Sequence, residues 1–372
     1  MKLNSNTVIH FWDFQPNNCV KIEKNFMKKL LSEILSYPGY HYKIAKLMNV
    51  DESIVNDIRR NPEKKIEINT IKKIVKFLKK IGKQIELRYI EPHIIWFGAH
   101  TGKGITNPKL PFMTNSLDFV KLLSASFGDG TITNISHSTP QKYKLGVLEY
   151  TNEDPILRQE LINSALKVFG GNKKEYVIRY YDGDTSIYFP SIIRDVLLMT
   201  GGVRGEKSVH NPSIPPWIMN SSNKNMWITW LKQTLDDEGS VRFRDNYNHE
   251  VYVTRVMDIT EIFSRKLEIG IKISFNKLSE REQQVIKKNP VRLLSDEFKL
   301  LQRIGIESRL KPQEIYVTKK GRIKVKWRLY ITKKGNLNIF AKLINFTNLR
   351  KGKILERIVG ENVGIQTKVK RK

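Results

Sequence analysis

The sequence predicts an α+β protein, and three patterns lead to that fold class. A helical pattern runs through the first hundred residues, and a long alternating hairpin occupies residues 314–336. Between them, two apolar helices each end in an acid followed by glycine and then by an alternating strand. Helical spacing and strict alternation of apolar residues mark helices and strands respectively. At this length we expect two or three domains, and we place them at residues 1–100, 112–222 and 223–372.

The net charge of the chain narrows the function classes. Lys and Arg number 65 against 37 Asp and Glu, which gives a formal charge of +28. Such an excess favours a polyanionic partner, usually nucleic acid, although lysine-rich surfaces also occur on proteins that bind nothing anionic. The single cysteine, Cys19, excludes an internal disulfide and a cysteine-based zinc finger. No apolar run reaches the ~18 residues of a membrane span, so we expect a soluble, cytoplasmic monomer with no membrane partner.

Residues 41–60, HYKIAKLMNVDESIVNDIRR, predict two short helices joined by a tight turn. Asn49 tolerates the left-handed conformation that such a turn needs, and Asp51 can cap the second helix. The arrangement resembles a helix-turn-helix of the phage-repressor type, with residues 51–60 as the recognition helix, although similar three-helix units also serve as plain packing units. The side chains on this helix that suit DNA are Asn56, Arg59 and Arg60. The later segment 85–97 predicts a strand.

Two stretches of the chain share an ending. Residues 116–132, SLDFVKLLSASFGDGTI, predict an apolar helix that stops at Asp129–Gly130. Residues 225–241, NMWITWLKQTLDDEGSV, predict a second that stops at Glu238–Gly239. We expect each glycine to supply a left-handed helix cap. Acid-glycine pairs are common in turns, but two pairs in the same context indicate an internal repeat.

Side-by-side packing of these helices would bring Asp129 and Glu238 together at one end. Like charges held close repel each other unless a cation lies between them. A hard divalent cation with oxygen ligands, such as Mg²⁺, would offset the repulsion. Paired carboxylates that hold Mg²⁺ beside a basic surface are what phosphodiester hydrolysis requires. The two acids are therefore the predicted metal-binding and catalytic pair.

Residues 122–130, LLSASFGDG, and 231–239, LKQTLDDEG, resemble the two diagnostic helices of the LAGLIDADG homing endonucleases. The resemblance implies two pseudo-symmetric αββαββα repeats whose sheets form a saddle for DNA, preceded by the small, mainly helical N-terminal domain. It also implies that the last acid of each motif binds the catalytic metal, and that a lysine lies near the active site toward the end of each repeat. The matching lysines are Lys207 in the first repeat and, in the second, Lys351 or Lys353, of which we choose Lys351.

The hairpin at residues 314–336 predicts a sheet with one basic face. Along its second strand the outward positions are basic with no acid among them, whereas the opposite positions are apolar. The alternation after the second motif presents two more arginines in the same way. Such strands can offer Arg and Lys to phosphates and base edges, although an ordinary solvated sheet surface is the alternative. The predicted DNA-binding residues of these strands are Arg242, Arg244, Arg322, Lys324, Lys326 and Arg328.

These observations together predict a site-specific endonuclease that hydrolyses double-stranded DNA with Mg²⁺. Two other classes remain open. One is a noncatalytic DNA-binding transcriptional regulator that retains the endonuclease scaffold. The other is an RNA-splicing maturase, because a basic saddle also suits structured RNA.

Overall fold

The computed structural model describes residues 8–100, 102–133, 148–181, 184–243 and 249–360, and its elements mix helices with antiparallel sheets. The α-helices are α1 Lys24–Leu35, α2 His41–Met48, α3 Glu52–Arg60, α4 Ile68–Lys80, α5 Leu87–Ile90, α6 Leu117–Phe127, α7 Pro155–Phe169, α8 Ser191–Met199, α9 Lys207–His210, α10 Pro216–Met219, α11 Lys224–Glu238, α12 Glu280–Lys288, α13 Arg292–Arg303, α14 Lys334–Leu343 and α15 Leu349–Gly360. The strands are β1 Val8–Ile9, β2 Asn18–Ile22, β3 Ile66–Glu67, β4 Ile94–Ala99, β5 Ile105–Thr106, β6 Phe112–Met113, β7 Gly130–Ile132, β8 Leu148–Thr151, β9 Val177–Tyr181, β10 Asp184–Tyr188, β11 Gly239–Arg242, β12 Glu250–Asp258, β13 Lys272–Ser274, β14 Arg309–Val317 and β15 Ile323–Ile331.

The chain divides into two compact units. Among the described residues, the first unit runs to Phe119 and takes in Ile162–Thr200, whereas the second takes in Val120–Ile132, Tyr150–Leu161 and the residues from Gly201 onward. Every residue predicted for catalysis lies in the second unit. Of the described helices, none combines the length and the apolar character that a membrane span requires.

In the first unit, α2 and α3 lie where the sequence predicts them. Asn49 ends α2 in the left-handed conformation, with φ 57° and ψ 46°. The Asp51 carboxylate accepts a hydrogen bond of 2.8 Å from the Ser53 amide and thereby caps α3. The two helices bury small and branched apolar side chains, namely Ile44, Ala45, Met48, Val55 and Ile58. The predicted helix, tight turn and second helix are confirmed.

Other parts of the first unit differ from the sequence expectation. The strand predicted at 85–97 is wrong over most of its length, because α5 and a 3₁₀ turn at Glu91–His93 precede β4. Pro92 has no N–H to donate to a ladder, which favours the turn over a strand there. A four-stranded sheet with the order β3-β2-β4-β5 also accompanies the helices. Its central ladder joins segments far apart in sequence, Cys19 opposite Gly98 for example, and local patterns cannot show such pairing.

The second unit is built on a five-stranded antiparallel sheet with the order β11-β12-β15-β14-β13. The predicted hairpin is confirmed as β14 and β15, and the turn between them contains Gly321 at a φ of 74°. Burial along β15 alternates at every residue, as its sequence predicts. The apolar face carries Ile323, Val325, Trp327, Leu329 and Ile331. Helices α11 and α13 pack against this sheet, so the sheet fixes the position of the end of α11.

Candidate active site

Within the second unit, α6 and α11 approach each other closely. The Ser124 hydroxyl donates a hydrogen bond of 3.0 Å to the carbonyl of Trp230 and lies 3.3 Å from the Thr234 hydroxyl. The rings of Phe127 and Trp230 lie 5.2 Å apart. Small polar side chains at a crossing allow backbones to approach and still satisfy their hydrogen bonds. Gly128, directly after α6, lies against Asp237 near the end of α11, so the contact extends to the ends of both helices, where Asp129 and Glu238 lie.

Gly130 and Gly239, which follow the two acids, are required because there is no space for a side chain and not because of a left-handed backbone. Gly239 is extended, with φ −72° and ψ 153°, and Gly130 is not among the described glycines with positive φ. The expected left-handed caps are therefore wrong. A Cβ at Gly130 would lie 2.6 Å from the Ala125 carbonyl oxygen, and one at Gly239 would lie 2.4 Å from that of Leu235. Each strand leaves so close over the last helical turn that a side chain does not fit.

Asp129 lies in a partly buried, polar position. Its Oδ2 accepts a hydrogen bond of 2.6 Å from the Asn152 amide. Burial raises the pKa of Asp129 above its usual value, although the Asn152 hydrogen bond and the charges of Lys351, Lys207 and Arg255 oppose the shift. The carboxylate is thus desolvated and surrounded by donors and cations, as expected for a group that works on an anionic substrate.

Glu238 has a different partner, the guanidinium of Arg255 on β12. Arg255 Nη1 lies 3.0 Å from Glu238 Oε1 and 2.9 Å from Oε2, and it also donates a hydrogen bond of 2.9 Å to the Phe127 carbonyl. Arg255 Nη2 lies 3.4 Å from Glu297 Oε1. Burial, and to a smaller extent the charge of Asp129, raises the pKa of Glu238 against the effect of Arg255 and Lys207. Arg255 therefore joins Glu238 to the C-terminal end of α6, two residues before Asp129.

The side chains of both predicted lysines reach the C-terminal ends of the helices that bear the acids, Lys207 at α6 and Lys351 at α11. Lys207 Nζ donates to the Gly128 carbonyl, and Lys351 Nζ donates to the carbonyls of Leu235 at 3.3 Å and Asp236 at 2.5 Å. Cations at these positions complement the negative ends of the helix dipoles. Burial lowers the pKa of Lys207 to about 8 and also lowers that of Lys351. Lys353, the alternative to Lys351, is exposed.

A further acid that the sequence analysis did not select, Asp237, lies between the helices. Its Oδ1 accepts hydrogen bonds from the Tyr150 hydroxyl at 2.7 Å and from the Gln233 amide at 2.8 Å. Burial and the nearby charge of Asp129 raise the pKa of Asp237 well above its usual value. Gly128 lies directly against it, because a Cβ there would be 2.2 Å from Asp237 Oδ2.

The donor set fits a divalent metal that keeps most of its water. Asp129 and Glu238 offer carboxylate oxygens, which hard cations prefer. Within the part of the chain that the structure describes, no three His, Cys, Asp or Glu side chains gather closely enough to hold a metal alone. Mg²⁺ is commonly held by one or two carboxylates with waters and substrate phosphates as further ligands. Arg255 and Lys207 already supply positive charge beside the two acids, so the expectation that only a bound cation offsets their repulsion is wrong.

A cavity of about 220 Å³ opens beside the Glu238 half of the site. Lys207, Glu238 and Arg255 line it together with apolar side chains that include Val291 and Leu293. Two cations and one carboxylate at a cavity wall can bind an anionic oxygen and hold a water at the same time.

The outward face of the five-stranded sheet carries charges of both signs, whereas its sequence predicts a basic face. The predicted bases are outward as expected, but acids from neighbouring segments pair with them. The ion pairs are Arg322 with Asp258 at 3.2 Å, Lys324 with Glu206 at 2.5 Å, Lys326 with Glu314 at 3.8 Å, and Glu250 with Arg328 at 2.9 Å and with Arg242 at 3.3 Å. Arg328 also lies over the Tyr252 ring at 3.6 Å. The outward positions of β15 carry no acid, as expected, but β12, β14 and Glu206 before α9 supply acids, so the face as a whole is not purely basic. Arg244 lies outside the described residues.

The predicted DNA-binding residues of the N-terminal module lie on α3 in the first unit. Arg59 and Arg60 are exposed near its C-terminus, and Asn56 is half-buried. Asp57 on the same helix pairs with Lys64.

Comparison with known proteins gives only distant likenesses. No family model matches the sequence, and no curated protein matches it. One similar solved structure is that of I-DmoI in complex with DNA and Mn, with a TM-score of 0.33 and 12% identity over 62% of this chain and 97% of that chain. Another is the homing endonuclease I-WcaI bound to its DNA recognition sequence, with a TM-score of 0.32 and 13% identity over 64% of this chain and 85% of that chain. At these TM-scores neither likeness indicates a function for this chain.

Proposed function

We propose that this chain is a site-specific double-stranded DNA endonuclease of the LAGLIDADG homing type that uses a divalent metal, with Mg²⁺ as the natural ion. The observation that carries the proposal is the meeting of α6 and α11 at the ends that bear Asp129 and Glu238, where Lys207, Lys351 and Arg255 contact the backbone or side chains of these ends. Carboxylates among cations at a desolvated site suit the hydrolysis of a phosphodiester.

Each site residue has a defined task in this proposal. Asp129 and Glu238 would hold the metal, which when bound polarises a phosphate oxygen and lowers the pKa of a water. Asn152 fixes the orientation of Asp129 through its amide hydrogen bond. Lys207 and Lys351, each anchored on a helix carbonyl, stabilise negative charge on the cleaved phosphate.

Target binding is assigned to the basic sheet face and to the N-terminal helices. The sheet bases exchange their carboxylate partners for phosphates when DNA binds, which makes binding dependent on salt. The α2–α3 pair, proposed as a helix-turn-helix domain, adds Asn56, Arg59 and Arg60 as further contacts.

The proposal is tested with a plasmid library that carries randomised targets. We expect the wild-type chain to cleave a subset of targets in the presence of Mg²⁺, and Asp129→Asn to bind those targets but cleave them at least ~100-fold more slowly. Glu307→Gln, which removes an exposed acid that pairs with Lys333, is the matched control and should cleave normally. Tight binding by the wild type without cleavage of any target would contradict the enzyme assignment.

One observation favours a second function, a noncatalytic DNA-binding regulator. The buried acids are already paired or surrounded by Arg255, Lys207 and Lys351, so their charges are offset without a metal. In that case Asp129→Asn would leave both target affinity and the absence of cleavage unchanged.

A further inference from the structure

The two site acids are held by partners of different charge, and this difference supports an inference that rests on the proposed metal-dependent function. Asp129 accepts a hydrogen bond from the neutral Asn152 amide at 2.6 Å. Glu238 lies against the Arg255 guanidinium, with both of its oxygens within 3.0 Å of Nη1. If Asp129 and Glu238 were equivalent metal ligands, we would expect them to have equivalent side-chain partners, and they do not.

Arg255 is held in place from three directions. Nη1 contacts Glu238 and donates a hydrogen bond of 2.9 Å to the Phe127 carbonyl. Nη2 lies 3.4 Å from Glu297 Oε1. The side chains of Arg255 and Glu297 are only 8% and 1% exposed. A buried ion that loses its partner is strongly destabilised. Glu238 therefore cannot turn toward a metal without giving up its nearest cation, whereas Asp129 has no comparable constraint.

We propose that Arg255 is a positioning residue that occupies Glu238, so that the two acids bind a divalent metal unequally. Asp129 supplies the principal carboxylate ligand. Glu238 contributes little to metal affinity while Arg255 holds it, and instead keeps the guanidinium at the wall of the 220 Å³ cavity, where both cavity cations, Arg255 and Lys207, face an incoming phosphate. The ion pair between Arg255 and Glu297 maintains this difference in metal binding between Asp129 and Glu238.

The inequality is measured with Tb³⁺, an oxygen-seeking ion whose luminescence is sensitised by the Trp residues of α11. The full chain is titrated as wild type, Asp129→Asn and Glu238→Gln. We expect Asp129→Asn to weaken Tb³⁺ binding at least tenfold and Glu238→Gln to change it less than twofold. Equal weakening by the two substitutions, or a larger loss with Glu238→Gln, would overturn the inference.

A gain of affinity provides the second test. The double substitution Arg255→Gln with Glu297→Gln removes one buried cation together with one buried anion, and it leaves Lys207 as the remaining cation beside Glu238. Glu238 is then free, and we expect Tb³⁺ to bind at least fivefold more tightly than to the wild type. Adding Glu238→Gln should abolish that gain. A merely structural role for Arg255 predicts weaker binding in the double variant, which would contradict the proposal.

The controls separate this inference from the proposed function. Arg265→Gln removes an arginine that lies 3.7 Å from Glu282 and is half exposed, and it should leave Tb³⁺ affinity unchanged. Circular dichroism establishes that each variant is folded, and if the double variant is not, the comparison of the two single variants decides. Unequal Tb³⁺ binding without DNA cleavage would overturn the nuclease alone, and the absence of any Tb³⁺ binding by the wild type would overturn both.

Discussion

Asp237 and Gly128 together set how closely the two acid-bearing helices meet. Gly128 leaves room for the Asp237 carboxylate, which Tyr150 and Gln233 hold by hydrogen bonds of 2.7 and 2.8 Å. A methyl group at Gly128 would lie 2.2 Å from Asp237 Oδ2. Because the carboxylate is held from two sides, it cannot turn away without losing those bonds.

Gly128→Ala is therefore expected to lower the free energy of unfolding by about 1–3 kcal/mol, the usual cost of overpacking. Urea denaturation followed by circular dichroism measures it. Gly335→Ala is the control, because Gly335 lies in α14 with no atom within 4 Å of its added Cβ. That change should be neutral or stabilise by up to ~1 kcal/mol. Equal destabilisation by both substitutions would refute the close contact at Gly128.

The site residues that belong to the repeated helix ending were predictable from the sequence, whereas those that have no counterpart in the other repeat were missed. Asp129 and Glu238 were predicted because the same pattern ends two helices. Arg255 and Glu297 reach the site through the register of β12 and the packing of α13, which no local spacing shows. The sequence nonetheless held an indication, because Arg255 and Glu297 each occupy a position where the spacing of apolar residues in its strand or helix predicts burial. The neighbours on that phase are Val253 and Met257 for Arg255, and Leu293, Leu294, Leu300 and Leu301 for Glu297.

At the scale of the element, the turn between α2 and α3 was predictable because it depends on one residue type. Asn49 has a φ of 57°, which costs an L-residue with a branched Cβ more than it costs Asn or Gly. We expect Asn49→Val to lower the free energy of unfolding by about 1–2 kcal/mol. Asn49→Gly, the matched substitution, should change it by less than ~0.5 kcal/mol. Thermal or urea denaturation distinguishes the two, and similar losses would argue against a left-handed Asn49.

The sheet of the second unit shows where prediction from a single strand stops. Alternation along β15 correctly gave its buried and exposed positions. It could not give the cross-strand partners, because β12 pairs with β15 from far away in sequence, with Asp258 opposite Lys324. Cross-strand pairs of opposite charge stabilise a sheet and reduce its net field. The face is therefore charge-mixed in the free protein.

Glu250 is the acid through which this can be tested, since it pairs with both Arg328 and Arg242. Glu250→Gln frees two arginines and removes one negative charge from the face. We expect nonspecific duplex DNA to bind roughly 3–10-fold more tightly at low salt, with a steeper dependence on salt. Fluorescence anisotropy with a random-sequence duplex measures this. Glu307→Gln removes the same charge elsewhere and should have a smaller effect, and equal effects would exclude a specific role for the Glu250 pairs.

Considered as a whole molecule, the chain joins a large positive charge to a cluster of buried ionisable groups. The formal charge of +28 is a property of composition, and it can be read directly from the sequence. Composition gives no information about burial, and burial changes the titration of the site. It raises the pKa values of Asp129, Asp237, Glu238 and Glu297 and lowers that of Lys207. The pH dependence of stability therefore follows from the fold.

The contribution of Glu297 to the pH dependence of stability can be measured. Burial raises its pKa from 4.5 to about 7, although Arg255 opposes the shift. Between these two values the folded chain retains a proton on Glu297 that the unfolded chain has lost, so this residue makes stability fall as the pH rises, by on the order of 3 kcal/mol. Urea denaturation at intervals from pH 4.5 to 7.5 should give a shallower decline for Glu297→Gln than for the wild type. The other buried acids are present in both chains, and parallel curves would mean that the protonation of Glu297 does not differ between the folded and unfolded protein over this range.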